Sequence, residues 1–187
     1  MPLVDIRPPD HDVVLDIRYA TADNLTGRPI YARPLCYLHP EAAQALRRAI
    51  ELARPLGLRL RLFDGFRPVE AQWRLWNAVP NPEFVADPRK GSSHSRGVAI
   101  DLTLDGPDGR PLDMGTGFDA VTPLSHHGNL EISATAQRNR LLLLGLMAAA
   151  GWQHYQNEWW HYNLPQPERF PMLSDSVLDG IMMAPAA

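Results

Sequence analysis

The run Pro40-Glu-Ala-Ala-Gln-Ala-Leu46-Arg-Arg-Ala49-Ile50-Glu-Leu-Ala53-Arg-Pro55-Leu-Gly57-Leu58-Arg-Leu-Arg-Leu62 contains a helix, its stop and a strand in direct succession. Pro40 suits a first helical turn, because its fixed φ is already helical and its missing N–H would have no partner there. Leu46, Ala49, Ile50 and Ala53 then recur at helical spacing, and Pro55 and Gly57 end the run. From Leu58 to Leu62 the period changes to strict alternation, the pattern of a half-buried strand. Asp64-Gly-Phe-Arg67-Pro68 breaks that pattern as a turn. Pro68 opens a second helix reaching about Asn77, with Ala71, Leu75 and Trp76 as its apolar positions.

Downstream, residues 80–93 are polar and rich in breakers and read as a loop. Val98 to Leu104 is a strand, and Asp105-Gly-Pro-Asp-Gly109 turns towards a partner strand near Leu112. Ser133 caps a helix running to about Ala150, which Gly151 ends. Trp152–Tyr155 and Trp159–Leu164, joined by Gln156-Asn157-Glu158, form a closing hairpin. This order predicts an α+β fold, a mainly antiparallel sheet with flanking helices. No repeat or linker divides residues 1–187, so a single domain is expected, with the last twenty residues wrapping or fraying.

The composition is 45% hydrophobic and 21% charged, with a net charge of −3, which offers no basic surface for nucleic acid. The 18 prolines point to a loop-rich chain rather than a bundle. Cys36 is the lone cysteine, so a disulfide within the chain is impossible and a metal site cannot rest on thiolates. The amino-terminal residues lack the basic start and apolar stretch of a signal peptide, and Leu141 to Ala150 is too short to span a bilayer. The expectation is a soluble cytoplasmic protein without membrane partners; oligomeric state is not encoded in any pattern.

Two clusters can carry chemistry. In Ser92-Ser-His94-Ser-Arg-Gly97-Val-Ala-Ile-Asp101, strand alternation sets Asp101 opposite Val98 and Ile100. Gly97 allows His94 to fold back beside it. An imidazole and a carboxylate there make two-thirds of a three-ligand zinc site. In Glu158-Trp-Trp-His161-Tyr162, a third ligand and a base for metal-activated water stand three residues apart. On a strand such residues point to opposite faces, so both serve one metal only if Glu158 lies at the strand entrance or beside a bulge. His11, His39 and His154 read as surface or capping residues, and His126-His127 as a structural or rim feature. Phosphate loops, Gly-x-Ser-x-Gly elbows and His-Glu-x-x-His helices are all missing from the sequence. Spacing alone supports a zinc hydrolase and goes no further.

These two clusters, in order with Tyr19-Ala-Thr-Ala-Asp-Asn-Leu-Thr-Gly27, Asp64-Gly-Phe-Arg67-Pro68, Met114-Gly-Thr-Gly-Phe-Asp119 and Ala136-Gln-Arg-Asn-Arg140, resemble the VanX-type D-alanyl-D-alanine dipeptidases. The resemblance runs from about Asp16 to Leu164. The short stretch between Asn77 and Gly91 is more similar to the chromosomal Gram-negative form than to the glycopeptide-resistance form.

The resemblance implies a fold related to zinc D,D-carboxypeptidases and to the hedgehog signalling domain, with one Zn2+ per chain held by His94, Asp101 and His161. It makes Glu158 the catalytic base and Arg67 the group that stabilises the transition state. It places Ser92, Asp119 and Tyr19 around a small dipeptide substrate. Two neutral histidines and one carboxylate leave such a site cationic and open to water. Arg67, permanently charged, suits an oxyanion. Asp119 suits the substrate ammonium, and Ser92 its carboxylate. Two rivals remain: a carboxypeptidase or endopeptidase of wall peptides with the same centre, and a zinc-stabilised binding module. The latter needs neither Glu158 nor Arg67.

Overall fold

A computed structural model describes residues 3–185. In chain order it holds β1 (Val4–Asp5), β2 (Val13–Leu15), β3 (Tyr37–Leu38), α1 (Pro40–Ala53), β4 (Arg59–Asp64), α2 (Val69–Ala78), β5 (Ala99–Asp105), α3 (Ala134–Ala149), β6 (Gln153–Tyr155) and β7 (Glu158–Asn163), with short 3-10 turns between. Five strands form a sheet ordered β2-β4-β5-β7-β6, parallel only at β2–β4. β1 and β3 form a separate antiparallel pair. The fold is α+β with a mainly antiparallel sheet, as the element order predicts. Among the described residues no helix is long and apolar enough to cross a membrane.

α1 begins at Pro40, with the His39 ring accepting from the Glu41 N–H as its cap, and ends before Gly57 at φ +68°. α3 starts where Ser133 Oγ accepts from Ala136 N at 3.0 Å. The two helices pack together and against β4, β6 and β7. Ile100, Leu102 and Leu104 of β5 are fully buried in this core with Leu46, Leu143 and Met147.

By alternation Ala99, Asp101, Thr103 and Asp105 take the other face, and they too are buried. Both faces of the central strand are therefore covered, the second in part by α2, whose Leu75 lines the same cavity as Asp101.

Three sequence assignments need correction. Asp64 closes β4 instead of opening a turn. Glu158 begins β7 instead of belonging to the connection. The partner near Leu112 is a single bridge at Pro111. His11, expected at the surface or as a cap, is buried as well; His127 is buried, His126 half-buried and His154 exposed. Of the last twenty residues, the described ones, 168–185, wrap: Ala32 N donates to the Met182 carbonyl and Val69 N to that of Leu173.

Candidate active site

A register shift in β4 sets one side of the site. Leu62 pairs with Leu102, yet Asp64 pairs with Asp101, so Phe63 is an extra residue. Without it Asp64 would join Leu60 and Leu62 on the core face; with it Asp64 turns to the side of Asp101. Phe63 also faces the loops, 4.9 Å from the Phe118 ring.

β7 solves the spacing of Glu158 and His161 in a similar way. His161 lies opposite Asp101, on the same face. Glu158 is the first residue of β7, opposite Tyr155 and beside a register shift that leaves residues 159–161 of β7 without partners in β6. Its Oε2 lies 4.0 Å from His161 Nδ1. The strand entrance and the bulge that the spacing required are both present.

His94 arrives from a 3-10 turn, His94–Arg96, closed by Gly97 at φ +69°. A Cβ at Gly97 would meet His39 N at 3.1 Å, so the turn needs glycine for both reasons. Gly65 is constrained by space: a Cβ there would meet Cys36 Sγ at 2.8 Å and the Tyr37 carbonyl at 2.9 Å. The Gly65 carbonyl lies 2.7 Å from His94 Nδ1 and accepts its proton, which leaves the Nε2 lone pair free.

His94 Nε2, His161 Nδ1 and Asp101 Oδ1 form a triangle with edges of 3.0, 3.0 and 3.3 Å. Ligands around a tetrahedral zinc stand roughly 3.3 Å apart, so donor types and spacing both fit that ion. Among the described residues this is the one group of three or more such side chains able to hold a metal. Burial holds the His161 imidazole below its ordinary value, although Asp101 works against it. Burial would raise Asp101, but His94 and His161 more than offset this and hold it below the usual carboxylate range.

Arg67 is held on three sides. Nε donates to Asp64 Oδ2 at 2.8 Å, Nη1 to Gln72 Oε1 at 3.1 Å and Nη2 to Asp101 Oδ2 at 3.3 Å. The guanidinium lies 4.9 Å from the centre of the Tyr19 ring. Tyr31 Oη donates to the second oxygen of Asp64 at 2.8 Å, and Gln72 Nε2 to the Ala86 carbonyl at 2.7 Å.

Asp119 sits at φ +60°, accepting from Tyr19 Oη at 3.1 Å and from Leu25 N at 3.4 Å. Burial pushes its carboxyl up to about 7, with Arg67 opposing. Burial, reinforced by Asp101 and Asp119, pushes Glu158 well above its ordinary value. Ser92 Oγ accepts from His94 N at 3.2 Å.

All eight candidate residues line one cavity of about 300 Å³. Residues 82–86, Leu25, Tyr155 and Trp160 are among the others on its wall. Sequence reasoning missed Asp64 as a carboxylate of the site, together with Tyr31 and Gln72. Asp64 sat within a quoted motif, but Tyr31 and Gln72 stand in no pattern.

A family model described as D-ala-D-ala dipeptidase matches residues 1–180. The chain is 45% identical over 173 residues to the D-alanyl-D-alanine dipeptidase of Escherichia coli (strain K12), covering 92% of this chain and 90% of that protein. It is 38% identical over 182 residues to the D-alanyl-D-alanine dipeptidase of Enterococcus faecium, covering 86% and 90%. A solved structure described as VanYB in complex with D-Alanine-D-Alanine superposes with a TM-score of 0.48 at 17% identity, over 78% of this chain and 80% of that one. With the family model spanning nearly its whole length and relatives well above a third identical, the chain belongs to the D-ala-D-ala dipeptidase family.

Proposed function

We propose that this chain hydrolyses the free dipeptide D-alanyl-D-alanine to two D-alanines, with one zinc held by His94, Asp101 and His161. The observation that carries the reading is one small cavity that joins the donor triangle, a buried carboxyl 4.0 Å from it and a half-buried second carboxyl at Asp119. Its volume of about 300 Å³ lies at the small end of ligand pockets.

Zinc held there supplies Lewis acidity to the scissile carbonyl and to water, and its charge favours the ionised form of Glu158. Glu158 takes the proton from the attacking water and passes it to the leaving amine. Arg67, fixed by Asp64 and Gln72, presents Nη2 on the metal side and stabilises the oxyanion. Asp119, steadied by Tyr19, binds the substrate ammonium, and Ser92 serves the carboxylate end. A binding module would need neither the buried Glu158 nor the braced Arg67. The reading includes a cytoplasmic location; the buried Cys36 gives the chain no disulfide that would depend on an oxidising compartment.

The test compares kcat/KM for D-Ala-D-Ala, its N-acetyl derivative, L-Ala-L-Ala and a wall pentapeptide at equal zinc loading. The free D,D-dipeptide should be cleaved far faster than the other three. Equal values for the free and acetylated forms would replace this reading with a carboxypeptidase open on the amino-terminal side.

A further inference from the structure

Arg140 of α3 is 3% exposed, yet its partners are carbonyls, a hydroxyl and an indole face rather than a carboxylate. Nε donates to the Met114 carbonyl at 2.7 Å, Nη1 to the His126 carbonyl at 3.0 Å and Nη2 to Thr116 Oγ1 at 3.4 Å. The guanidinium lies 5.8 Å from the centre of the Trp159 ring. Burial pulls its pKa down to about 10, which still leaves it charged at neutral pH. Desolvating a cation is costly, Asp113 offsets this only through space, and each of the three guanidinium nitrogens donates to a residue of one loop.

That loop runs from Met114 to His126, so one side chain ties its two ends. Thr116 closes it further. Its Oγ1 accepts from Trp159 Nε1 at 2.8 Å and lies 3.1 Å from Ser125 Oγ, whose own proton goes to the Ala120 carbonyl at 2.7 Å. The ends of the loop thus rest against α3 and Trp159, the neighbour of Glu158. Its middle reaches into the cavity: Phe118 lies 5.5 Å from the Trp160 ring, and Asp119 meets Tyr19. Asp119 holds a left-handed backbone, which a non-glycine residue keeps only where its surroundings over-determine it.

We infer that Arg140 is a positioning residue: by clamping both ends of residues 114–126 it fixes Asp119 at the amino-terminal end of the cavity, in register with Glu158. This rests on the reading that Asp119 meets the substrate ammonium. Loosening the clamp should therefore weaken recognition of the free amine while leaving the metal ligands and the base where they are.

The experiment uses zinc-loaded Arg140→Met, Arg140→Lys and Thr116→Val. It records kcat and KM for D-Ala-D-Ala, the preference over the N-acetyl dipeptide, zinc content, and amide hydrogen exchange across the chain. Arg140→Met should raise KM about tenfold, the scale of one charge-assisted hydrogen bond misplaced, with a much smaller change in kcat. It should also shrink the free-amine preference and speed exchange within 115–126 but not in β5. Arg140→Lys should recover part of each effect, and Thr116→Val should reproduce them more weakly if Arg140→Met does not fold. Unchanged KM and preference in folded variants, or faster exchange spread evenly over the chain, would overturn the inference. A wild type without any free-amine preference would instead overturn the dipeptidase reading, while the exchange pattern still decides whether Arg140 holds the loop.

Discussion

Asp101 and Asp105 lie on the same face of β5, both buried, both beside an arginine contributed from the β4 side of the sheet. Their surroundings nevertheless differ. At Asp105 a single side chain uses both oxygens: Arg61 Nε and Nη2 donate at 2.8 and 2.9 Å. At Asp101 the oxygens are shared among Arg67, His94 and His161, and Arg67 itself is divided among Asp64, Gln72 and Asp101. The first end is electrostatically closed. The second keeps lone pairs and a cation converging on a cavity, with two further carboxyls, the buried Glu158 and the half-buried Asp119, on its wall. A buried charge is therefore a poor marker of function by itself; unspent bonding capacity directed at a cavity is a better one.

Substitution at the converging end should produce the largest effect. Glu158→Ala is expected to keep its metal, because Glu158 stands outside the donor triangle, and to lose about 10²–10⁴-fold in kcat. Metal analysis alongside steady-state rates checks this, and a variant within a few-fold of wild type would move proton transfer elsewhere.

The closed end should respond in stability instead. Asp105→Ala removes both acceptors of a bidentate pair and is expected to cost up to about 3 kcal/mol in denaturant unfolding, since Arg61 keeps some contact with water and lies 3.6 Å from Asp16. Its kcat/KM at saturating zinc should remain near wild type. A catalytic loss there with unchanged stability would erase the contrast between the two ends.

The smallest effect concerns pH. With its carboxyl raised to about 7, Asp119 is neutral below that pH and cannot pair with an ammonium. The ratio of kcat/KM for free over N-acetylated dipeptide should rise as pH increases through about 7 and fall again above roughly 8, where an α-amino group loses its own proton. In Asp119→Asn the ratio should be flat on the rising side. The ratio isolates this pair, because the acetylated substrate carries no charge for Asp119 to meet.

One side of this contrast is legible in the sequence, although not its cause. Pro40, the stop at Pro55 and Gly57, the alternation from Leu58 and the Ser133 cap mark their elements locally, and local signals survive in sequence. His94, Asp101, Glu158 and His161 stood out as metal and base chemistry for the same reason. What stayed hidden depends on pairing across strands. Nothing in Leu60-Arg-Leu-Phe-Asp64 says that Phe63 is the extra residue, and so nothing says that Asp64 turns to the side of Asp101. β1, β2 and β3 are only two or three residues long, too short for periodicity to reveal. Arg140 was visible as part of a family segment, but its clamp on residues 114–126 exists only once α3 and β7 are packed.

The claim that the converging end of β5 is a zinc dipeptidase site is tested most directly by stripping the protein with a chelator and titrating zinc back while following D-Ala-D-Ala hydrolysis. Activity should climb linearly and break at one zinc per chain, and His161→Ala should show no such climb. Full hydrolysis by the stripped protein, or a normal titration by His161→Ala, would contradict the assignment.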